Sequence, residues 1–355
     1  MFRDFLRDHP PLAQSIKRLH LTAFPIGVPE SDEDAGQEPL GLLSFQELTL
    51  QDVIVISVPS YWEALHAPLP ALRRLNVTYL RRTYSQSHVG DILGCFSALD
   101  YVRVQNMPSA EEWPDDTAPP GMRVTTFVCL DEQPQVEWLL DYLFDSPSVE
   151  TLRALHVGAI AAEFPLYREL LDAVRPRLEV FDFTLPVPWD SEAFATEQPE
   201  AALPPTSPFS LSGFASLRCL TLRFPMYSGM ADADSDHWRP LAKILETCSK
   251  CRHLSAIDFL IHDVHKAVTS SSLASILSAV EDSLLGLHAS ASVEDVHFIV
   301  AGAAPFETNV EEQLKEVCPP LIQKVKIRVS RTDLDPKDWV GLDFGIPADG
   351  VFMAE

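Results

Sequence analysis

The chain is poor in the residues and segments that mark several protein classes. Six of its 355 residues are cysteine and 14 are glycine, and six cysteines in a chain of this length do not make a disulfide framework. No run approaches the roughly 20 apolar residues of a membrane span. The N-terminal residues, Met1 to Asp4, contain no apolar core of a secretory signal. We therefore expect an intracellular protein, cytoplasmic or nuclear, that does not associate with membranes.

Basic residues are also scarce. The chain has 27 Lys and Arg against 51 Asp and Glu, which gives a formal net charge of −24. A nucleic-acid-binding protein normally carries a basic footprint, so nucleic acid is not an expected partner. Much of the acid lies in clusters such as residues 30–38 and 111–116, which are typical of solvated loops that keep a protein soluble.

Recognisable catalytic motifs are absent, including those of nucleotide-binding loops, serine hydrolases and zinc proteases. The strongest lead for chemistry is Cys248-Ser-Lys-Cys251, but zinc needs three or four ligands and the second half of a usual site is missing. His262 and His265 likewise lack a third ligand. We expect no enzyme, no catalytic residue, no cofactor and no metal. The alternative is a metal- or thiol-dependent enzyme that uses Cys248/Cys251 and His262/His265.

A repeated pattern is the most informative feature that the chain does contain. The pattern, apolar-x-x-apolar-x-apolar, occurs eleven times at intervals of 25 to 29 residues, except for three of 37 to 39. This spacing and motif indicate the strand half of a leucine-rich-repeat-like solenoid. The central residues are Leu19, Leu48, Leu75, Val102, Phe127, Leu155, Phe181, Leu220, Ile257, Val296 and Val325.

A second period lies between the strands. Leu241, Ile244, Leu245 and Cys248 are spaced i, i+3, i+4, i+7, which places one apolar stripe on a helix. Similar spacing occurs in several other intervals, and stacked strand–helix units share a continuous core that one unit alone cannot form. The sequence thus predicts an α/β fold: a single curved solenoid with parallel strands on the concave face and helices on the convex face.

The repeat also sets the expected boundaries. Residues 1–14 are predicted to form an N-terminal capping helix, residues 15–330 the solenoid and residues 331–355 a tail or cap. Insertions in loops are expected at about 27–42, 106–120, 186–213 and 225–236. The range 186–213 contains six prolines from Pro186 to Pro208, which exclude a regular helix or a central strand there.

Residues between the inward apolar positions of each strand face the other side of the sheet. Over all eleven strands these outward positions hold seven Lys or Arg against four Asp or Glu, so this face is relatively basic on an acidic protein. We predict that its N-terminal part receives an acidic or phosphorylated segment of a protein partner. The candidate partner-binding residues are Arg18, His20, Arg74, Asn76, Tyr101 and Arg103.

The opening segment, Phe2-x-x-Phe5-Leu6-x-x-His9-Pro10-x-Leu12-Ala13-x-x-Ile16-x-x-Leu19-x-Leu21, resembles a segment of fungal, mushroom-type F-box proteins. There it follows the F-box and leads into degenerate leucine-rich-like repeats, which the stretch from Phe214 to Leu222 also resembles. The resemblance implies a non-enzymatic, substrate-recruiting adaptor of a cullin ubiquitin ligase. The F-box itself is not visible in the sequence, so the ligase core is an expected partner only if an F-box is missing from this gene model.

Overall fold

A computed structural model describes the following residues of the chain: 9, 11, 15–22, 25–26, 46–51, 54–55, 72–78, 93, 96, 98–105, 122–129, 135–159, 165–185, 210–226, 238–263, 268–291, 293–301 and 310–332. The chain divides into two compact units, Met1–Leu152 and Arg153–Glu355, and each unit contains parallel strands and helices.

The first unit contains a sheet in which every strand pairs with the next in parallel, in the order β1-β3-β5-β6-β7. A separate two-stranded parallel pair, β2 and β4, lies outside that sheet. The bounds are β1 Arg18–Thr22, β2 Pro25–Ile26, β3 Glu47–Gln51, β4 Ile54–Val55, β5 Arg74–Thr78, β6 Leu99–Gln105 and β7 Val124–Cys129, with helices α1 Gln135–Phe144 and α2 Ser148–Thr151.

The second unit continues the same construction, with parallel strands in the order β8-β9-β10-β11-β12-β13. The predicted α/β fold with a solenoid-like repeat of parallel strands is therefore confirmed. The strands are β8 Ala154–Ala159, β9 Val180–Thr184, β10 Cys219–Met226, β11 Ala256–Asp263, β12 Asp295–Ala301 and β13 Lys326–Thr332, and the helices are α3 Pro165–Val174, α4 Arg239–Thr247, α5 Ser270–Ala291, α6 Val310–Val317 and α7 Pro319–Ile322.

The repeated apolar positions form the core on one side of each sheet. Leu48, Leu75, Val102, Leu155 and the central residues of the following repeats are almost completely buried. Leu19 in β1 is only half-buried, because a terminal strand has a neighbour on one side only. We call the opposite side of each sheet, which carries the alternate side chains, the outward face.

The helical stripes are buried against this core. Leu241, Ile244, Leu245 and Cys248 have no solvent exposure, as the sequence spacing predicts. Within the second unit α4 packs against α5, and α5 packs against α6. The Ser283 hydroxyl of α5 donates a hydrogen bond to the Ala242 carbonyl of α4 at 3.3 Å.

Serine and threonine hydroxyls connect successive repeats. The hydroxyl of Ser148 donates to the carbonyl of Met122 at 3.0 Å, and that of Thr151 donates to the carbonyl of Val124 at 2.9 Å. In the second unit the Ser216 hydroxyl donates to the Pro176 carbonyl at 2.6 Å. The repeats lack the asparagines that form ladders in more regular leucine-rich repeats, and these hydroxyls supply cross-repeat hydrogen bonds instead.

The last strand is shifted from its predicted register. Val296 of β12 pairs with Ile327 and Asp295 pairs with Lys326, so the central residue of β13 is Ile327 rather than Val325. A shift of two residues leaves the same side chains on each face. With Val325 as the central residue, the repeat pattern places Lys324 at an outward position of this strand, but in the structure Lys324 lies before the strand begins.

Several boundary predictions remain predictions. The capping helix (1–14) and the insertions at 27–42 and 106–120 lie outside the described residues, apart from His9 and Pro11. So do most of the insertions at 186–213 and 225–236 and the tail beyond Thr332. At the end of the third insertion, Gly213 adopts φ +96°, and a Cβ atom there would lie 2.9 Å from Cδ of Arg175, so this turn requires glycine.

Candidate functional site

The parallel register brings the predicted partner-binding residues onto one face of the first unit. Arg18, Glu47, Arg74 and Tyr101 occupy equivalent positions on β1, β3, β5 and β6. Two residues further along the same strands, the equivalent positions are occupied by His20, Thr49, Asn76 and Arg103. The six predicted residues therefore lie in two adjacent rows on the outward face, with β3 between β1 and the other strands.

The β1 residues lie at the exposed edge of this face. The Arg18 side chain is 54% exposed, and its Nε lies 3.3 Å from Oε2 of Glu47. The Nε2 atom of His20 is within 2.9 Å of Oε1 of Gln51. The exposed Arg18 end of this ion pair is accessible to water and salt, which screen its charge.

Glu47, which the site prediction did not include, links the edge to the middle of the face. Its carboxylate is buried, receives the Arg18 contact and accepts a hydrogen bond from Nδ2 of Asn76 at 3.4 Å. The same Asn76 nitrogen donates to Oγ1 of Thr49 at 3.2 Å. Asn76 is thus held in place by two side chains of β3, and Glu47 offsets part of the positive charge at the edge.

The centre of the face is formed by Arg74, Tyr101 and Arg103, which we call the arginine–tyrosine cluster. The Arg74 guanidinium carbon lies 5.9 Å from the centroid of the Tyr101 ring, within cation–π range. The guanidinium of Arg103 donates to Oε1 of Gln105 at 2.9 Å. All three side chains are half-buried, so they are packed but still reachable from solvent.

The hydroxyl group of Tyr101 belongs to the same cluster. Burial raises the pKa of Tyr101, although the charges of Arg103 and Arg74 and a hydrogen bond from Arg103 oppose the rise. The phenol therefore stays protonated around neutral pH and keeps a hydrogen to donate. The cluster thus presents guanidinium and hydroxyl donors on the outward face.

The two cysteines of the Cys248-Ser-Lys-Cys251 motif are hydrogen-bonded within the core. Cys248 and Cys251 are completely buried, and their sulfur atoms contact the carbonyls of Ile244 at 3.7 Å and Leu211 at 3.3 Å. A hydrogen bond between the two thiols, with burial, raises the pKa of Cys248 well above its usual value, and the same bond lowers the pKa of Cys251. Each thiol has a structural hydrogen-bonding role.

Only one residue of the histidine pair lies among the residues that the structure describes. His262 is exposed on β11, and His265 lies outside the described residues. Within the described part of the chain, no group of three or more His, Cys, Asp or Glu side chains is placed to hold a metal ion. Nor does any helix among those residues have the length and apolar character needed to cross a membrane.

The second unit contains a buried ion-pair network that sequence reasoning did not single out. Nε of Arg223 on β10 donates to Oδ1 of Asp182 on β9 at 2.5 Å, and a second guanidinium nitrogen contacts Oδ2. Nδ1 of His156 on β8 lies 2.9 Å from Oδ2. All three side chains are almost fully buried, although they occupy outward positions.

The electrostatics of this network are dominated by Arg223. Burial alone raises the pKa of Asp182, but the Arg223 charge and the hydrogen bonds from Arg223 and His156 outweigh it and lower the pKa. Because the carboxylate accepts from Nδ1 of His156, that nitrogen carries the proton in the neutral ring. Nε2 of His156 is buried without a hydrogen-bond partner among the described residues.

A usable signal for this network exists in the sequence. Asp182 and Arg223 are oppositely charged outward residues on successive strands. The outward position just before the central residue holds a small side chain on β8, β10 and β11, and these residues, Ala154, Cys219 and Ala256, are buried in the structure. Small side chains at outward positions indicate that this face is shielded from solvent. The first unit has long polar side chains, such as Arg18 and Arg74, at the same position of the repeat.

The last two strands carry a further, more exposed set of polar contacts. Arg328 donates to the two carboxylate oxygens of Asp295 at 3.0 and 2.6 Å. Nε2 of His297 lies 2.7 Å from Oγ of Ser330. The positive charge of Arg328 on the last strand is therefore partly neutralised by the neighbouring strand, which the count of basic residues at outward positions did not reveal.

Comparison with protein-family models and with curated proteins finds no match. Among solved structures, the chain is similar to a Bacteroides fragilis protein determined as a structural genomics target, with 10% sequence identity and a TM-score of 0.38. The similarity covers 84% of this chain and 67% of the other.

Proposed function

We propose that this protein is a non-enzymatic protein-interaction module, and that the outward face of its first unit binds an acidic or phosphorylated segment of a partner. The observation that supports this most strongly is the arginine–tyrosine cluster: two half-buried guanidinium groups flank one aromatic ring. Arginine and tyrosine are enriched where binding energy is concentrated in protein interfaces.

The cluster is suited to binding because it is already ordered. Arg74 is positioned by the Tyr101 ring, Arg103 by Gln105, and Asn76 by Thr49 and Glu47. Side chains that are fixed before binding lose less conformational entropy when a partner arrives. The positive charge of this face on a chain with net charge −24 also steers negatively charged segments toward it.

The proposed role extends to recruitment of substrates for a cullin ubiquitin ligase inside the cell. Support for this extension comes from the resemblance of the opening segment and of the Phe214–Leu222 segment to fungal F-box proteins. The test is co-purification of the ligase adaptor with the protein expressed from its complete gene. Recovery of the repeat protein without the adaptor would remove the ligase role and leave the binding module.

Binding through the first unit is tested with charge reversal. We expect Arg74→Glu plus Arg103→Glu to abolish capture of a partner that the wild type retains, because each reversal converts attraction into repulsion. The matched control is Arg73→Glu plus Arg123→Glu, which changes the same charge at two exposed positions just before β5 and β7. Binding should also weaken as salt is raised.

A folded Arg74/Arg103 variant that retains the partner as well as the wild type would rule out this face as the binding site. Equal losses in the test and control variants would show that only the net charge of the chain matters. Circular dichroism and thermal unfolding of both variants establish that each is folded before binding is compared.

A further inference from the structure

Cys248 and Cys251 carry two thiols that the proposed binding role does not use. We propose that this pair is a redox-sensitive site, at which hydrogen peroxide converts the two thiols reversibly into an intramolecular disulfide. The site lies in the second unit and does not depend on partner binding through the first. In the reduced protein both thiols keep the hydrogen bonds described above.

The backbone between the two cysteines brings their side chains together. Cys248 begins a short 3-10 helix, Cys248–Lys250, directly after α4, and the Cys251 N–H donates to the Cys248 carbonyl at 2.8 Å. A 3-10 helix has about three residues per turn and rises about 2.0 Å per residue, so side chains three residues apart lie one above the other with Cα atoms about 6 Å apart. A disulfide bridges Cα separations of about 4.4–6.8 Å without backbone movement.

The two thiols are already in contact in the reduced protein. A hydrogen bond from the Cys248 thiol lowers the pKa of Cys251, burial opposes this change, and the backbone N–H of Phe214 adds to it. The same contact, together with burial, raises the pKa of Cys248. Cys251 is therefore the thiol that ionises more readily, and Cys248 is placed to react with it.

Three other described cysteines provide a comparison within the same chain. Cys129 ends β7, Cys219 begins β10 and Cys318 directly precedes α7, and all three are buried free thiols. Burial raises the pKa of Cys219 well above its usual value and that of Cys318 to about 12. Because the thiolate is the reactive form, we expect these thiols to oxidise more slowly than the pair.

The pair lies directly beneath a turn at the protein surface. Ser249, Lys250, Arg252 and His253 are exposed, whereas the two cysteines between and beside them are completely buried. Local opening of a few residues costs much less free energy than unfolding of the whole domain. Hydrogen peroxide is small, so opening of this one turn is enough to admit it to Cys251.

The reaction is balanced with hydrogen peroxide as the oxidant. Cys251 loses its proton, its sulfur attacks one peroxide oxygen, and the O–O bond breaks. Cys251 becomes a sulfenic acid, and the departing hydroxide takes up the proton to give water. The Cys248 sulfur then attacks the Cys251 sulfur, the S–O bond breaks, and the hydroxide leaves as a second water with the Cys248 proton. The two thiols lose two electrons, which reduce one peroxide to two waters.

The experiment exposes the full chain briefly to hydrogen peroxide, blocks the remaining thiols and maps the cysteines after digestion with trypsin. Trypsin cleaves after Lys250, so peptides 244–250 and 251–252 separate unless a disulfide joins them. We expect the joined peptide after oxidation and its loss after treatment with a dithiol reductant. Oxidation of the pair should be at least about tenfold faster than oxidation of Cys129, Cys219 and Cys318.

Single variants test which thiol attacks the peroxide. In a Cys248→Ser variant the sulfenic acid of Cys251 has no resolving thiol, so dimedone should label Cys251. The matched Cys251→Ser variant should show at least about tenfold less labelling of Cys248. Circular dichroism establishes that each variant is folded, and if either is not, the peptide map of the wild type tests the disulfide without any substitution.

The contrary outcomes are specific. A pair that stays reduced in the folded protein, or that oxidises no faster than Cys219 and Cys318, would overturn the proposal. So would a joined peptide that forms only in urea, because it would show that the native turn does not admit the oxidant. Dimedone labelling of Cys248 in place of Cys251 would overturn the assignment of the attacking thiol.

Discussion

The outward faces of the two units both carry charged side chains but hold them in different surroundings. In the first unit Arg74 and Arg103 are half-buried and lie beside Tyr101. In the second unit Arg223 is buried and bound through two nitrogens to Asp182, with His156 on the other side. The outward face thus holds half-buried arginines in one unit and an internal ion pair in the other.

This difference teaches that the repeat pattern alone does not decide whether an outward charge is available to a partner. Burial decides it, because a desolvated charge requires a bonded counter-ion. Arg223 meets this requirement through Asp182. Arg74, in contact with both Tyr101 and solvent, does not need a counter-ion from its own chain, and its charge remains available for binding.

The largest expected effect comes from breaking the buried network of the second unit. Asp182→Ala should lower the free energy of unfolding by about 3–5 kcal/mol, because it leaves the buried Arg223 without its counter-ion. Urea denaturation of the wild type and the variant measures the loss. Glu179→Ala is the control, since its contacts with Arg153 and Arg218 are long, 3.8 Å each, and solvent-exposed; a comparable loss there would show that burial is not the cause.

The second prediction compares the loss of stability on truncating a leucine in a central strand and in a terminal strand. Leu155→Ala should cost about 2–5 kcal/mol of unfolding free energy, because Leu155 is completely buried. Leu19→Ala in the half-buried end strand should cost clearly less. Thermal and urea unfolding of the two variants measure both values. An unchanged stability for Leu155→Ala would contradict the inward placement of the repeated positions.

The sequence predicts most of the strands and part of the candidate site. Strand positions and helical stripes were predictable because a core needs apolar side chains at periods of two and 3.6 residues. Among the described strand pairs, the register of β13 differs from the prediction by two residues. The grouping of the six candidate residues on one face follows from that register. The Glu47 contacts and the Asp182–Arg223 pair were not predictable, because they depend on side-chain conformations and on which faces are covered.

A third prediction concerns how the stability of the fold depends on pH at low pH. The pKa of Asp182 is lowered in the folded protein, so the ionised carboxylate stabilises the fold above its unfolded pKa of about 3.9. That contribution is lost as the pH falls through the lower pKa of the folded state. Unfolding free energies of wild type and Asp182→Asn should therefore converge below about pH 4. A difference that stays constant down to the folded pKa would show that the lost interaction does not depend on ionisation.

The smallest expected effect is that of removing metal with a chelator, which tests whether the thiols of Cys248 and Cys251 are structural. Cys248 and Cys251 are buried and bonded to each other and to backbone carbonyls, and the described residues near them offer no third ligand group. We expect elemental analysis of protein purified without chelator to find well under one zinc per chain. Chelator should leave thermal unfolding unchanged, because bound metal stabilises only a fold that provides its ligands. Stoichiometric zinc that is lost in a folded Cys248→Ser variant would overturn the structural role of this pair and restore the metal-dependent alternative.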